Sequence, residues 1–104
     1  MKPLTIGILG FLLFTGLALA GVPEGKELYT SKCAPCHGPN GEGKAAIAKA
    51  FKVTMPALAS KEVQDKSDAD LKKVVMAGKG KMKPVAGITE KQADDVIAYV
   101  RTLK

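Results

Sequence analysis

Cys33-Ala34-Pro35-Cys36-His37 contains the only two cysteines and the only histidine of the chain. The pattern Cys-x-x-Cys-His is the attachment sequence for c-type haem. Two thiols three positions apart can add across the two vinyl groups of one porphyrin, and the next histidine is placed to put a ring nitrogen on the iron. The sequence therefore predicts one covalent haem c, bound by Cys33 and Cys36, with His37 as an axial ligand.

The sequence gives weaker support to three other roles for this segment. A thiol–disulfide oxidoreductase motif begins a helix in a βαβ unit, and the sequence shows no strand pattern. A structural zinc ion needs four ligands, and no cysteine or histidine remains beyond these three. A local disulfide beside a surface histidine would close a tiny loop and add little stability. None of these roles explains how so short a chain builds a core.

The composition also favours a bound cofactor. The chain has 104 residues, a net charge of +6 and 46% hydrophobic residues, so it forms one small domain and is not a multidomain enzyme. Residues 21–104 contain no tryptophan and three aromatic residues, Tyr29, Phe51 and Tyr99. A domain this small usually needs a covalent or metal staple. A haem would supply the apolar core that the side chains lack.

Residues 1–20 have the pattern of a signal peptide. Lys2 is basic, Leu4 to Leu19 carries no charge, and Ala18-Leu19-Ala20 is a small-x-small cleavage site. We expect cleavage after Ala20, which leaves an exported domain of residues 21–104 with no stable membrane anchor. The mature charge is then +5, because Lys2 is the only charged residue lost.

The apolar spacing of the mature chain is helical throughout, which predicts an all-α fold. Turn residues mark loops at Gly38–Gly43 and Gly78–Pro84. Local signals predict four helices: one from about Pro23 to Ser31, a short one over Lys44–Phe51, one capped by Ser67 and ended by Gly78, and one that begins with the Thr89/Gln92 capping box and continues to the C-terminus.

A haem iron bound by one histidine often takes its second ligand from a methionine on the other face. Met76 lies beside Val74 in a predicted helix and is expected to pack. Met55 precedes Pro56 in an extended stretch and stays an alternative ligand. Met82 lies in a glycine-rich loop just after a helix, where the backbone can present the sulfur freely, and we favour it as the ligand.

The sequence resembles the small class I c-type cytochromes of bacterial periplasms across essentially all of its mature length. The resemblance is carried by Gly25–Tyr29, Cys33–His37, Gly38–Gly43, Gly78–Pro84 and Ile97–Leu103. It implies a cytochrome c fold of three to five short helices around one haem, a periplasmic location and a monomer. It also implies that the first and last helices cross, with Gly25 and Tyr29 against Ile97 and Tyr99. The carbonyl of Pro56 is expected to accept a hydrogen bond from the second ring nitrogen of His37.

A haem with ligands on both faces has no vacant coordination position, which predicts one-electron transfer and no enzymatic activity. The alternatives are a haem-based sensor, a ligand-binding or peroxidase-like protein with a labile sixth ligand, and a cytochrome subunit of a larger dehydrogenase or oxidase. A cluster of lysines predicts redox protein partners with acidic docking patches: Lys72, Lys73, Lys79, Lys81 and Lys83. Nucleic acid binding is not expected, because the exported chain lacks an aromatic stacking platform.

Overall fold

The computed structural model describes residues 21–104, so the predicted signal peptide lies outside the described residues. These residues form α1 (Val22–Lys32), α2 (Ala34–His37), α3 (Ala45–Phe51), α4 (Lys61–Gln64), α5 (Asp68–Ala77), α6 (Glu90–Val100) and a final 3-10 helix (Arg101–Leu103). Apart from one isolated bridge, residues 21–104 contain no β-structure. The all-α prediction is confirmed. The helices number six instead of three to five, because α2 and α4 are single turns of four residues.

Local capping fixes the ends of the two helices with the clearest sequence signals. The Ser67 hydroxyl accepts a hydrogen bond of 3.1 Å from the backbone N–H of Asp70 at the start of α5, and Gly78 ends that helix. At the start of α6, the N–H of Thr89 donates to the Gln92 side chain at 2.9 Å, and the N–H of Gln92 donates to the Thr89 hydroxyl at 3.1 Å. Both predicted N-caps are therefore confirmed.

The first and last long helices, α1 and α6, cross and pack closely. A Cβ on Gly25 would overlap the carbonyl oxygen of Asp95 and lie 3.1 Å from the Cβ of Tyr99, so this crossing requires glycine. The rings of Tyr29 and Tyr99 lie 5.3 Å apart, tilted by 51°. The predicted packing of Gly25 and Tyr29 against Tyr99 is confirmed. Ile97 lines a cavity at the centre of the fold.

The buried hydrophobic core is small. Among the described residues it consists of Tyr29, Val63, Val75, Ala93, Val96, Ile97 and Val100. Phe51 remains 48% exposed, although it is one of the few large apolar side chains. No helix within residues 21–104 combines the length and apolarity that a membrane crossing needs. The fold is a helical shell around a space that its own side chains do not fill.

Candidate functional site

A cavity of about 950 Å³ lies at the centre of this shell. It is near the upper end of the range for ligand pockets, about 300–1,000 Å³. All of the predicted site residues and the alternative methionine line this one cavity: Cys33, Cys36, His37, Met55, Pro56 and Met82. The fold therefore brings together residues from three separate segments of the chain.

The rest of the cavity wall is mainly aliphatic and aromatic. The apolar lining includes Ile47, Phe51, Leu58, Val63, Leu71, Val74, Val96 and Val100. A contiguous apolar surface of this extent in a small domain indicates that something apolar covers it. The exposed ring of Phe51 belongs to this wall, which explains why the structure leaves it unpacked. A large apolar group with polar edges fits this space, as a haem would.

One tight backbone turn presents the two thiols. Cys33 ends α1, where its N–H donates to the Tyr29 carbonyl at 2.9 Å, and it also precedes α2. The N–H groups of Cys36 and His37 both donate to the Cys33 carbonyl, at 3.1 and 2.9 Å. Both cysteines are free thiols. Their placement on the cavity wall matches the attachment role.

The thiol chemistry disfavours a redox-active Cys-x-x-Cys site. Burial, with a smaller contribution from the neighbouring Cys36, raises the pKa of Cys33 to about 11. Thiol–disulfide oxidoreductases need a pKa well below that of a free cysteine, because the thiolate is the nucleophile. At neutral pH the Cys33 sulfur is a protonated thiol. It therefore lacks the activation that this alternative requires.

His37 is in the right state to bind a metal. Burial lowers the pKa of its imidazole, so the ring is neutral at pH 7 and keeps a nitrogen lone pair. Its Nδ1 is buried and has no hydrogen-bond partner within residues 21–104. The predicted hydrogen bond to the Pro56 carbonyl is not formed here, although Pro56 lines the same cavity. A buried nitrogen that has no hydrogen-bond partner destabilises the fold by about 1–3 kcal/mol.

Two further contacts hold the backbone just after His37, and the sequence analysis missed both. The hydroxyl of Tyr29, a residue only 1% exposed, donates to the Gly38 carbonyl at 2.6 Å. Its burial raises the pKa of this phenol to about 12, so it stays a hydrogen-bond donor at all physiological pH values. The N–H of Gly43 donates to the His37 carbonyl at 2.6 Å. No local sequence pattern predicts the contact between Tyr29 and Gly38, because this contact depends on how α1 packs.

The loop that carries Met82 is held by a tight turn. The N–H of Lys79 donates to the Met82 carbonyl and the N–H of Met82 donates to the Lys79 carbonyl, both at 2.9 Å. Gly80 has a φ of +57°, which a two-residue hairpin turn requires at its first central position. A 3.0 Å bond from the N–H of Val85 to the Val75 carbonyl ties the loop to α5. These bonds hold the backbone of the Met82 loop at the cavity wall.

The two methionines that line the cavity belong to segments that are held in place by different parts of the fold. Met55 lies beside the His37 segment: a Cβ on Gly43 would be 3.4 Å from the Met55 Cβ, and Gly43 itself donates to His37. The Met82 loop is instead anchored on α5. Met76 is not among the cavity residues, which agrees with the packing role predicted for it. The two methionines therefore reach the cavity from differently anchored segments of the chain.

The basic rim of the cavity differs from the predicted one. Five exposed lysines line the cavity, with Glu62 as the single carboxylate among the lining residues: Lys32, Lys66, Lys79, Lys81 and Lys83. Lys72, which the sequence grouped with these lysines, does not line the cavity and forms ion pairs with Glu90 at 3.4 Å and Asp94 at 3.2 Å. Lys73 is exposed but does not line the cavity. Lys32 and Lys66 were missed, since only the fold brings them to the rim.

Comparisons with known proteins agree on one family. The family model for cytochrome c matches residues 22–104. Cytochrome c-554(547) of Halothiobacillus neapolitanus is 36% identical over 85 residues, which cover 77% of this chain and 93% of that protein. Among solved structures, the KustC0563 c-type cytochrome has a TM-score of 0.66 at 24% identity, covering 77% of this chain and 96% of that one. Cytochrome cL from Hyphomicrobium denitrificans has a TM-score of 0.61 at 26% identity, covering 81% of this chain and 48% of its own.

Proposed function

We propose that this chain, which belongs to the cytochrome c family, is a periplasmic carrier of single electrons, exported by a signal peptide that is cleaved after Ala20 and active as a monomer. One observation carries the proposal. The fold gathers two free thiols, a neutral imidazole and a thioether on the wall of one apolar cavity. The two thiols can attach a haem covalently, and the imidazole and the thioether can bind its iron.

Each of these residues has one task toward the bound group. Cys33 and Cys36 would hold it through two thioether bonds, each formed by addition of an S–H across a vinyl double bond. His37 and Met82 would bind its iron, and the hydrogen bond from the second nitrogen of His37 to the Pro56 carbonyl, which this structure does not show, would form once the group is bound. A c-type haem bound in this way supplies one-electron exchange between Fe(III) and Fe(II).

Other features of the chain favour electron transfer over catalysis. The apolar wall excludes water, and the contacts at Gly38 and Val75 keep both ligand-bearing segments in place. Small structural change between redox states keeps electron exchange fast. The only histidine is assigned to the iron, so no second histidine can act as an acid or base. We therefore propose that the protein is not an enzyme.

The five lysines at the cavity rim suit an acidic partner. Within residues 21–104 none of them forms a side-chain ion pair, so their charge is available to another protein. Attraction between a basic rim and an acidic patch accelerates encounter without a large interface. We propose that redox partners approach at this rim, both for a free carrier and for a subunit of a larger dehydrogenase or oxidase.

Carbon monoxide tests the carrier against a haem-based sensor or a peroxidase-like protein. The reduced holoprotein, matured in a host that attaches c-type haem, is titrated with the gas and its visible spectrum is recorded. A carrier with both axial positions filled leaves its spectrum almost unchanged. Rapid and complete formation of a carbon monoxide adduct at neutral pH would mean that the sixth position is labile, and the sensor reading would replace this proposal.

A further inference from the structure

Asp95 is the one buried charged residue among residues 21–104, with 8% of its surface exposed. It lies in α6 at the crossing with α1. Its Oδ2 accepts a hydrogen bond of 3.0 Å from the exposed ammonium group of Lys91. No hydrogen bond to its Oδ1 occurs within residues 21–104. Its Oδ1 can therefore accept a further hydrogen bond.

Gly21 lies directly against the Oδ1 of Asp95. The position that a Cβ would take on Gly21 is 2.5 Å from this oxygen and 3.7 Å from the Cα of Asp95. Because the nitrogen of Gly21 is one bond from its Cα, it lies within about 5 Å of the carboxylate. A side chain on Gly21 would therefore displace the Asp95 carboxylate.

We infer that removal of residues 1–20 creates an ion pair between the new α-amino group of Gly21 and the Asp95 carboxylate, which fastens the start of α1 to α6. The inference rests on the proposed cleavage after Ala20 and is independent of the haem ligands. Before cleavage this nitrogen is an uncharged amide. Addition of water across the Ala20–Gly21 bond gives a carboxylate on Ala20 and an amine on Gly21, which is protonated at pH 7.

The surroundings of Gly21 favour the pair. A positive charge at the N-terminus of a helix is opposed by the helix dipole, so a free ammonium group there needs a nearby carboxylate. Asp95 supplies one from α6, and Glu24 supplies another from the first turn of α1. Processing would therefore add a contact beside the Gly25 crossing. The processed chain is expected to be more stable than the unprocessed one.

A double-mutant cycle on the holoprotein tests the inference. One form of the holoprotein begins at Gly21. A second form begins at Ala20, because its leader is cut one residue earlier. Mass spectrometry verifies the first residue of each form. Each form is made with Asp95 and with Asp95→Asn, and guanidinium unfolding is followed by circular dichroism. We expect retention of Ala20 to raise the unfolding constant about threefold when Asp95 is present and to leave it unchanged in Asp95→Asn.

Asp94→Asn is the matched control, since Asp94 is the neighbouring carboxylate of α6 but pairs with Lys72. It should not change the effect of Ala20. Equal effects of Ala20 with Asp95 and Asp95→Asn would overturn the inference, as would a natural first residue other than Gly21.

The pKa of the α-amino group gives a second readout that does not depend on variants folding. The amine of Gly21 is dimethylated with ¹³C and titrated by NMR. The charged groups facing the pair are Lys91 on α6 and Glu24 on α1. We expect the pKa to lie above the ordinary range of about 7.7–8.0 in the Gly21 form. An ordinary pKa in that form would contradict the ion pair.

Discussion

Replacing Tyr29 with phenylalanine removes one buried hydroxyl and leaves the ring in place. The hydroxyl donates to the Gly38 carbonyl at 2.6 Å, directly after the proposed ligand His37. That carbonyl also accepts a bond of 3.1 Å from the N–H of Gly41, so it keeps one partner in the variant. The loss should therefore be near the net value of a hydrogen bond, about 1–1.5 kcal/mol, and not the larger cost of an unpaired group.

This cost can be measured by thermal and guanidinium unfolding of the holoprotein. For a domain of this size, 1 kcal/mol lowers the Tm by about 4–8 °C. Tyr99→Phe is the matched control, since Tyr99 packs against the same ring but its hydroxyl forms no hydrogen bond within residues 21–104. The control should change the free energy of unfolding by less than about 0.5 kcal/mol. Equal losses in the two variants would refute the role given to the Tyr29 hydroxyl.

The alkaline behaviour of Tyr29 provides an independent check. Its pKa is raised by burial to about 12 in the folded protein, against 10.0 for an exposed phenol. Because the pKa of the phenol is higher in the folded protein than in the unfolded one, the stability that this group contributes is fully present below pH 10. That stability is lost as the pH rises to about 12. Tyr29→Phe should therefore lose less stability than the parent between pH 10 and 12. The same alkaline loss in both proteins would contradict the assignment.

Two further predictions concern the helix crossing and the basic rim. Gly25→Ala places a Cβ against the Asp95 carbonyl and should lower the free energy of unfolding by about 3 kcal/mol. Gly87→Ala is the control, because its Cβ would meet open space at a φ of +72°, and it should lower the free energy of unfolding by about 1 kcal/mol. Comparable losses in the two variants would show that the crossing tolerates a methyl group. Lys81→Gln should slow oxidation of the reduced protein by hexacyanoferrate(III) about twofold at low ionic strength, and Lys49→Gln, an exposed lysine away from the cavity, should change it less. Stopped-flow rates that fall equally in both variants would assign the effect to net charge alone.

Most of the helical framework could be predicted because its signals are local. The caps at Ser67 and Thr89 lie within three residues of their partners, so the sequence contains the complete motif. The single-turn helices α2 and α4 were missed because four residues show no helical period. The turn around Gly80 had a readable signal, namely a glycine at a position that needs a positive φ.

The sequence predicted which residues line the candidate site, but it did not predict the tertiary contacts around them. The motif Cys33–His37 identifies its cofactor by itself, and Met82 was favoured by its loop. The pairing of Lys72 with Asp94 joins residues 22 positions apart, and only the packing of α5 on α6 brings them together. The Tyr29 contact has the same origin. Contacts of this kind depend on tertiary packing, which local patterns do not contain.

The oxidised absorption spectrum in the far red tests the central claim most directly. The holoprotein is compared with Met82→Leu and Met55→Leu, both of which keep an apolar side chain of similar volume at the cavity. The account predicts a weak sulfur-to-iron band in the parent and in Met55→Leu, and its loss in Met82→Leu. Loss of the band in Met55→Leu alone, or its absence from the parent, would contradict axial ligation by Met82.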